Sequence, residues 1–241
     1  MIKVSYVFDI DGTLTPHRSK MLEEHKSFFI EWMKDKSFYL ITGSDLPKTV
    51  EQLPKEIIAN CKTLFCCSGN IAYVPIAENA LTLKYKNNHR WDNNLISDCE
   101  KYVNNSKHKR RKSINNIEKR VGMLNVSTTG RRISQEEREE YFVWDQEHKE
   151  REFFVKFINK TYGEKYEASI GDKISIDIVP KGKNKSQILD DILGKLIFFG
   201  DNITDGNDAS LALAIKKKKR GTSHEVKDPN DTMNQIKNAS Q

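Results

Sequence analysis

Two carboxylates stand two residues apart near the start of the chain, in the string Asp9-Ile10-Asp11-Gly12-Thr13. The run before them, Val4-Ser5-Tyr6-Val7-Phe8, has the apolar character of a buried strand. The acids therefore leave the end of a sheet, and Gly12 gives the chain room to turn. Charge in such a place calls for a partner, and a divalent cation with oxygen ligands is the natural one. A carboxylate beside that cation can attack phosphorus, and a second can move the proton. Such a pair alone is also the mark of a plain turn or helix cap, so the rest of the chain has to decide between them.

Three further groups follow in order. Leu40-Ile41-Thr42-Gly43-Ser44-Asp45 places the hydroxyls of Thr42 and Ser44 at the end of the next strand, where either can also serve as a local helix cap. Lys185 opens a predicted helix five residues after Pro180, in a run with Lys181 and Lys183. The loop from Gly200 to Asp208 follows the apolar strand Leu196–Phe199, so Asp201 falls at the same sheet edge as Asp9. Open α/β sheets bind ligands at that edge. Asp208 also reads as the cap of the helix that follows.

The elements that must position these groups are legible from pattern. Strands are predicted at Val4–Phe8, Phe38–Thr42 and Thr63–Cys67, alternating with helices at His25–Asp35 and Asp45–Leu53, an order that argues a parallel sheet. The middle of the chain is more polar. It holds a predicted helix at Trp91–Asn104, a strand at Met123–Ser127 and a helical stretch from Ser134 to Lys160 that opens with a capping-box pattern. Lys173–Val179 alternates Ile174, Ile176 and Ile178 with Ser175 and Asp177, the pattern of a half-buried strand. Helices at Ser186–Leu193 and Asp208–Ile215 flank the strand Leu196–Phe199. The fold class is therefore α/β, a parallel-sheet core of residues 1–80 and 182–241 interrupted by an inserted α+β cap of residues 81–181, with hinges near Ala80 and Lys181.

Composition narrows the class further. The chain has 241 residues, enough for one large or two modest domains. No apolar stretch approaches the ~20 residues of a membrane span, so no membrane partner is expected. Met1 leads straight into the first strand, which leaves no room for a signal peptide. Cys61, Cys66, Cys67 and Cys99 lack metal-site spacing and read as reduced thiols of a cytoplasmic protein. The net charge of +6 comes from two clusters, 107–112 and 216–220, with five Lys/Arg each. Without those ten, 30 basic residues face 34 acidic ones. The clusters lack interleaved aromatics, so they read as solvated faces, and no nucleic-acid partner is expected.

The string FDIDGTLT, residues 8–15, resembles the first motif of the haloacid dehalogenase (HAD) superfamily of phosphoryl-transfer enzymes, and the three later groups stand where its other motifs stand. The resemblance implies a Rossmann-like core with Asp9 as nucleophile and Asp11 as general acid/base. It implies Mg2+ bound by the Asp9 carboxylate, the Asp11 backbone carbonyl and Asp201. Asp205 or Asp208 would bind the metal through water or position Lys185. Lys185 would neutralise the phosphoaspartate, and Thr42 or Ser44 would bond the phosphoryl oxygens.

The cap is more specific. Residues 119–131, Lys-Arg-Val-Gly-Met-Leu-Asn-Val-Ser-Thr-Thr-Gly-Arg, resemble the RNGMLNVSPIGR signature of eukaryotic-type phosphomannomutases, which carry a type IIB cap. The match continues through Ser134–Arg138, Ile174–Pro180 and Phe198–Asp201, and upstream through Gly43-Ser44-Asp45, Lys48 and Glu51-Gln52-Leu53. It implies a mutase that interconverts mannose 6-phosphate and mannose 1-phosphate, activated by a hexose 1,6-bisphosphate, with a sugar-phosphate phosphatase as the alternative. Arg120, Arg131 and Arg138 would bind the second phosphate, since guanidinium groups suit bidentate phosphate contacts. Ser175 would add a hydroxyl and Asp177 would accept from sugar hydroxyls. Asn125 lies on the strand carrying that pocket, and Arg18 would reach the substrate. A homodimer through the cap is implied in the same way. Val121 stands where the family has Asn, Cys67-Ser68-Gly69-Asn70 replaces its ENG, Lys183-Asn184 replaces its Trp-Asp, and the fourth motif is one residue shorter.

Overall fold

The computed structural model describes residues 4–77, 80–108, 115–130 and 133–238. They form two compact units, one running to Asn87 and resuming at Lys183, the other spanning Asn88–Gly182.

The first unit opens with β1 (Val4–Asp9), α1 (Glu23–Trp32), β2 (Phe38–Ile41), α2 (Leu46–Gln52), α3 (Lys55–Asn60), β3 (Leu64–Cys66), β4 (Ile71–Ala77) and β5 (Ala80–Lys86). Helix α1 buries His25, Phe29 and Trp32 at helical spacing, and Phe29 and Trp32 meet Phe8 edge-on or nearly so. Asp45 caps α2, its side chain accepting from Lys48 N at 3.3 Å. The second unit holds α4 (Asn93–Asn104), β6 (Ile117–Arg120), β7 (Met123–Val126), α5 (Gln135–His148), α6 (Glu150–Thr161), β8 (Tyr166–Ile170) and β9 (Ile176–Pro180). The chain then completes the first unit with a 3-10 turn at Lys185–Asp190, β10 (Lys195–Gly200), α7 (Ala209–Lys217), β11 (Gly221–Glu225) and α8 (Pro229–Asn238).

The first unit is built on a seven-stranded sheet in the order β11-β10-β1-β2-β3-β4-β5. Strands β11 to β3 are parallel, and β4 and β5 join antiparallel at one edge. The core on one face gathers Val7, Ile41, Phe65, Phe198, Leu211 and Ile215 with Ile188 and Leu189 of the 3-10 turn. Because 80–86 pair with β4, the chain leaves this unit after Asn87 rather than near Ala80. The edge hairpin β4–β5 was not expected. Pro75 and the bulges around it break the alternation that betrays a strand.

The second unit is a four-stranded antiparallel sheet, β6-β7-β9-β8, with α4 and α6 against one face. Leu124, Val126, Ile176 and Ile178 point into that helical layer beside Leu95, Phe154 and Ile158. The expected helical stretch 134–160 is two helices. Lys149 stands between them with φ 54°, a left-handed residue that ends α5 and starts α6. The capping box at Ser134 and Glu137 is present, both halves bonded. Ser175 and Asp177 are buried along with the isoleucines, so β9 is buried on both faces rather than half-buried.

All four cysteines are buried free thiols. Burial pushes the Cys61 and Cys99 thiols up to about 12. Among the described residues no helix is long and apolar enough to cross a membrane. Lys216–Lys219 are exposed at the end of α7, while the Arg220 side chain caps main-chain carbonyls of Gly194, Leu189 and Ile192.

Candidate active site

Register brings the chemistry-bearing residues to one edge. Asp9 ends β1 opposite Ile41, so Thr42 lies one step beyond on β2. Phe8 pairs with Phe199, so Gly200 lies beside Asp9 and Asp201 one step further. These are the carboxyl ends of parallel strands, where side chains project into a crevice.

At the centre sits Lys185, 1% exposed. Its Nζ donates to Asp9 Oδ1 and to Asp208 Oδ1, both at 2.6 Å. Asp208 is fully buried, and its second oxygen takes a bond from Asn202 N at 3.4 Å. One oxygen each of Asp9, Asp201 and Asp208 lies within 4.8 Å of the other two. Three carboxylates around one ammonium leave excess negative charge on hard oxygen donors, which suits a cation such as Mg2+. Burial pushes the Asp9 carboxyl up to about 7, against the pull of Lys185. A bound cation would favour its ionised form. Asp205 is exposed and outside this trio, so it is Asp208 that positions Lys185.

Two glycines keep the trio open. A Cβ on Gly12 (φ +83°) would meet Asp201 Oδ2 at 2.5 Å, and one on Gly200 would meet Asp208 Oδ2 at 2.6 Å. His17 Nε2 also lies 3.6 Å from Asp201 Oδ2.

Thr42 and Ser44 are both buried, and Ser44 N donates to Thr42 Oγ1 at 2.9 Å. The main chain beneath them is held by an unusual turn. Cys67, Ser68 and Gly69 are all left-handed, with φ 51°, 57° and 85°. That shape lets Cys67 N reach Ser44 O and Ser68 N reach Thr42 O, both at 2.9 Å. Asn70 and Gln187 then bond the Lys183 carbonyl from either side. Strained turns of this kind persist where the surroundings over-determine them.

Asp11 lies outside the carboxylate trio, in a ring of donors: Arg18 N at 2.9 Å, Gln52 Nε2 at 2.8 Å, Lys48 Nζ at 3.2 Å and Ser44 Oγ at 3.2 Å. Burial opposes its ionisation, but Lys48 and these hydrogen bonds outweigh it and hold the carboxyl well below the usual range. Lys48 and Gln52 were not among the expected site residues. Their signal was present, since Lys48 and Gln52 stand four residues apart on one face of α2, just after Ser44.

In the second unit the pairing Glu118↔Asn125 and Asn125↔Asp177 puts those residues on one face of the sheet, opposite the helical layer. Arg120, two residues after Glu118, shares that face. Its Nε and Nη2 bond Glu118 Oε2 at 3.0 and 2.5 Å. Asn125 Nδ2 donates to Asp177 Oδ1 at 2.6 Å. A Cβ on Gly171 would meet Ser175 Oγ at 2.9 Å and Asp177 Oδ2 at 3.2 Å, so that glycine is spacing for the polar face. Arg138 is 4% exposed on α5, with Nη1 3.7 Å from Asp172 Oδ2. Arg131 lies outside the described residues. Arg18, in the first unit, has left-handed backbone (φ 56°), which is what points its N–H at Asp11.

The sequence profile of eukaryotic phosphomannomutase matches residues 25–241. The chain belongs to that family. It is 34% identical to the phosphomannomutase of Galdieria sulphuraria, over 95% of this chain and 91% of that protein. The identity with the phosphomannomutase of Spinacia oleracea is also 34%, over 95% and 92%. The fold is shared more widely. An IMP-nucleotidase of Plasmodium falciparum matches with a TM-score of 0.59 at 16% identity, over 98% of this chain and 67% of that one. A haloacid dehalogenase-like hydrolase from Bacteroides thetaiotaomicron also gives 0.59, at 14% identity, over 99% and 100%. The HAD-type core inferred from the four motifs is therefore the fold observed.

Proposed function

We propose that this enzyme interconverts mannose 6-phosphate and mannose 1-phosphate by carrying a phosphoryl group on Asp9. The observation that carries the reading is the buried trio of Asp9, Lys185 and Asp208 with Asp201 beside it, set at the carboxyl edge of the sheet. Family membership and phosphomannomutase relatives over nearly the whole chain support the substrate. Asp9 would attack phosphorus of a hexose 1,6-bisphosphate, and Lys185 would offset the charge of the transferring group. Asp9, Asp201 and Asp208, with the Asp11 carbonyl, would hold Mg2+, whose charge also stabilises the phosphoryl oxygens. Thr42 and Ser44 would donate to those oxygens. The 88–182 unit would supply substrate specificity: Arg120, Arg131 and Arg138 for the existing phosphate, with Ser175, Asp177 and Asn125 for the sugar. Arg18 would complete the substrate contacts. Family resemblance supports pairing of two copies through the 88–182 unit.

Phosphorus NMR with Mg2+, mannose 1-phosphate and catalytic glucose 1,6-bisphosphate tests this. Bisphosphate-dependent growth of mannose 6-phosphate is expected, and Asp9→Asn should abolish it. Inorganic phosphate growing in its place would make the chain a sugar-phosphate phosphatase.

A further inference from the structure

Every contact on the Asp11 carboxylate described above comes from a donor, and both oxygens are engaged. Lys48 Nζ bridges Oδ1 at 3.3 Å and Oδ2 at 3.2 Å, and also reaches Ser44 Oγ at 3.2 Å. Gln52, 4% exposed, gives the shortest bond. Its amide nitrogen faces three acceptors, Asp11 Oδ1, Thr15 Oγ1 at 3.2 Å and the Ser19 carbonyl at 3.4 Å. Its buried oxygen Oε1 has no hydrogen-bond partner. A buried amide that leaves its oxygen unsatisfied is placed for its nitrogen. Asp45 caps the helix that carries Lys48 and Gln52, and Met21 N bonds the Gln52 carbonyl at 2.9 Å, so the two donors stand on a fixed support.

We propose that Lys48 and Gln52 are positioning residues that aim the Asp11 carboxylate at the incoming sugar hydroxyl. This rests on the reading that Asp9 carries the phosphoryl group. In the step concerned, the sugar oxygen forms a bond to phosphorus and the bond from phosphorus to Asp9 breaks. Its electron pair returns to the Asp9 carboxylate, and the hydroxyl proton passes to Asp11. Loading Asp9 from an activated aryl phosphate needs no such proton transfer, because p-nitrophenolate leaves unprotonated. The two half-reactions therefore separate an effect on Asp11 from general damage to the site.

The experiment uses the full chain with Mg2+ in rapid quench. The burst of p-nitrophenolate from p-nitrophenyl phosphate reads the loading of Asp9. Decay of the phosphoenzyme on adding mannose 1-phosphate reads the transfer. Lys48→Met and Gln52→Leu should keep the burst within about twofold of the parent. They should slow the transfer by ~100-fold and ~10-fold, at and below the lower end of what a proton-transfer group itself contributes, with the KM for mannose 1-phosphate nearly unchanged. Lys48→Arg, which keeps the charge, should recover at least tenfold of the loss. Equal losses in burst and transfer, or no loss in either, would overturn the positioning role. Release of p-nitrophenolate at the parent rate by Asp9→Asn would instead overturn the phosphoaspartate reading, and this proposal with it.

Discussion

Lys185 and Arg120 are both basic residues assigned to phosphate, yet the two units hold them on different terms. Lys185 is buried between two carboxylates, and its bond to Asp9 joins residues 176 apart in the chain. Arg120 stands on an edge strand and is held by Glu118, two residues away on the same strand. A charge buried in a fixed cage is a permanent part of the fold, because removing one member leaves the others uncompensated. Arg120, its side chain 9% exposed, is paired with a carboxylate of its own strand, and on the reading proposed above a substrate phosphate would take that partner's place. The core site is thus fixed by pairs distant in sequence, and Arg120 by a local one.

The comparison breaks most visibly at Lys185. Lys185→Met should lower turnover by at least ~1000-fold and cost about 3–5 kcal/mol of stability in urea unfolding without Mg2+. A variant as stable as the parent would show that the cage is not part of the fold. Arg120→Ala should behave oppositely. It should raise KM for mannose 1-phosphate by ~10- to 100-fold, worth about 1.4–2.8 kcal/mol of binding, and cost less stability than Lys185→Met.

The buried acids and phenols also set the response of both units to pH. Asp11 is ionised more readily in the fold than in an unfolded chain. Its contribution is therefore complete above the ordinary carboxylate value of about 4 and lost as pH falls below it. In the second unit, burial pushes Tyr102 and Tyr141 well above their ordinary value. An unfolded tyrosine ionises near about 10, so that unit loses stability as pH rises beyond it. Asp9 runs the other way in acid, its raised carboxyl adding stability as pH falls below about 7, and burial raises Tyr85 of the first unit like the tyrosines of the second. Hydrogen exchange read by peptide should therefore show both units loosening above pH ~10. A unit unchanged above that pH would refute the assignment. The smallest expected effect sharpens the comparison. Glu118→Gln should ease the exchange at Arg120 and lower KM for the sugar phosphate about two- to threefold.

Much of the core site was legible because its parts recur at the ends of apolar strands. Asp9 and Asp201 each follow such a run, and register then fixes them side by side. Lys185 was found by order, but its depth was not, since a lysine in a run of lysines carries no sign of burial. The half-buried pattern around Asp177 understates its burial, because strand alternation separates two faces without saying what covers each. The break at Lys149 was hidden because lysine gives no turn signal. Lys48 and Gln52 were visible as a family match and became part of the site only when Asp11 was seen turned toward them.

Strand β1 lies inside its sheet, third of seven, and one of its two neighbours, β10, begins at Lys195. As the chain emerges from the ribosome, β1 must wait with one side unpaired until β10 is made. Contacts so distant in sequence close slowly. The inserted unit is local in its contacts and free to fold meanwhile. The strand that carries Asp9 is thus made well before the neighbour that completes it, so no chain that stops short of Asp208 can hold Asp9 in its finished charge environment.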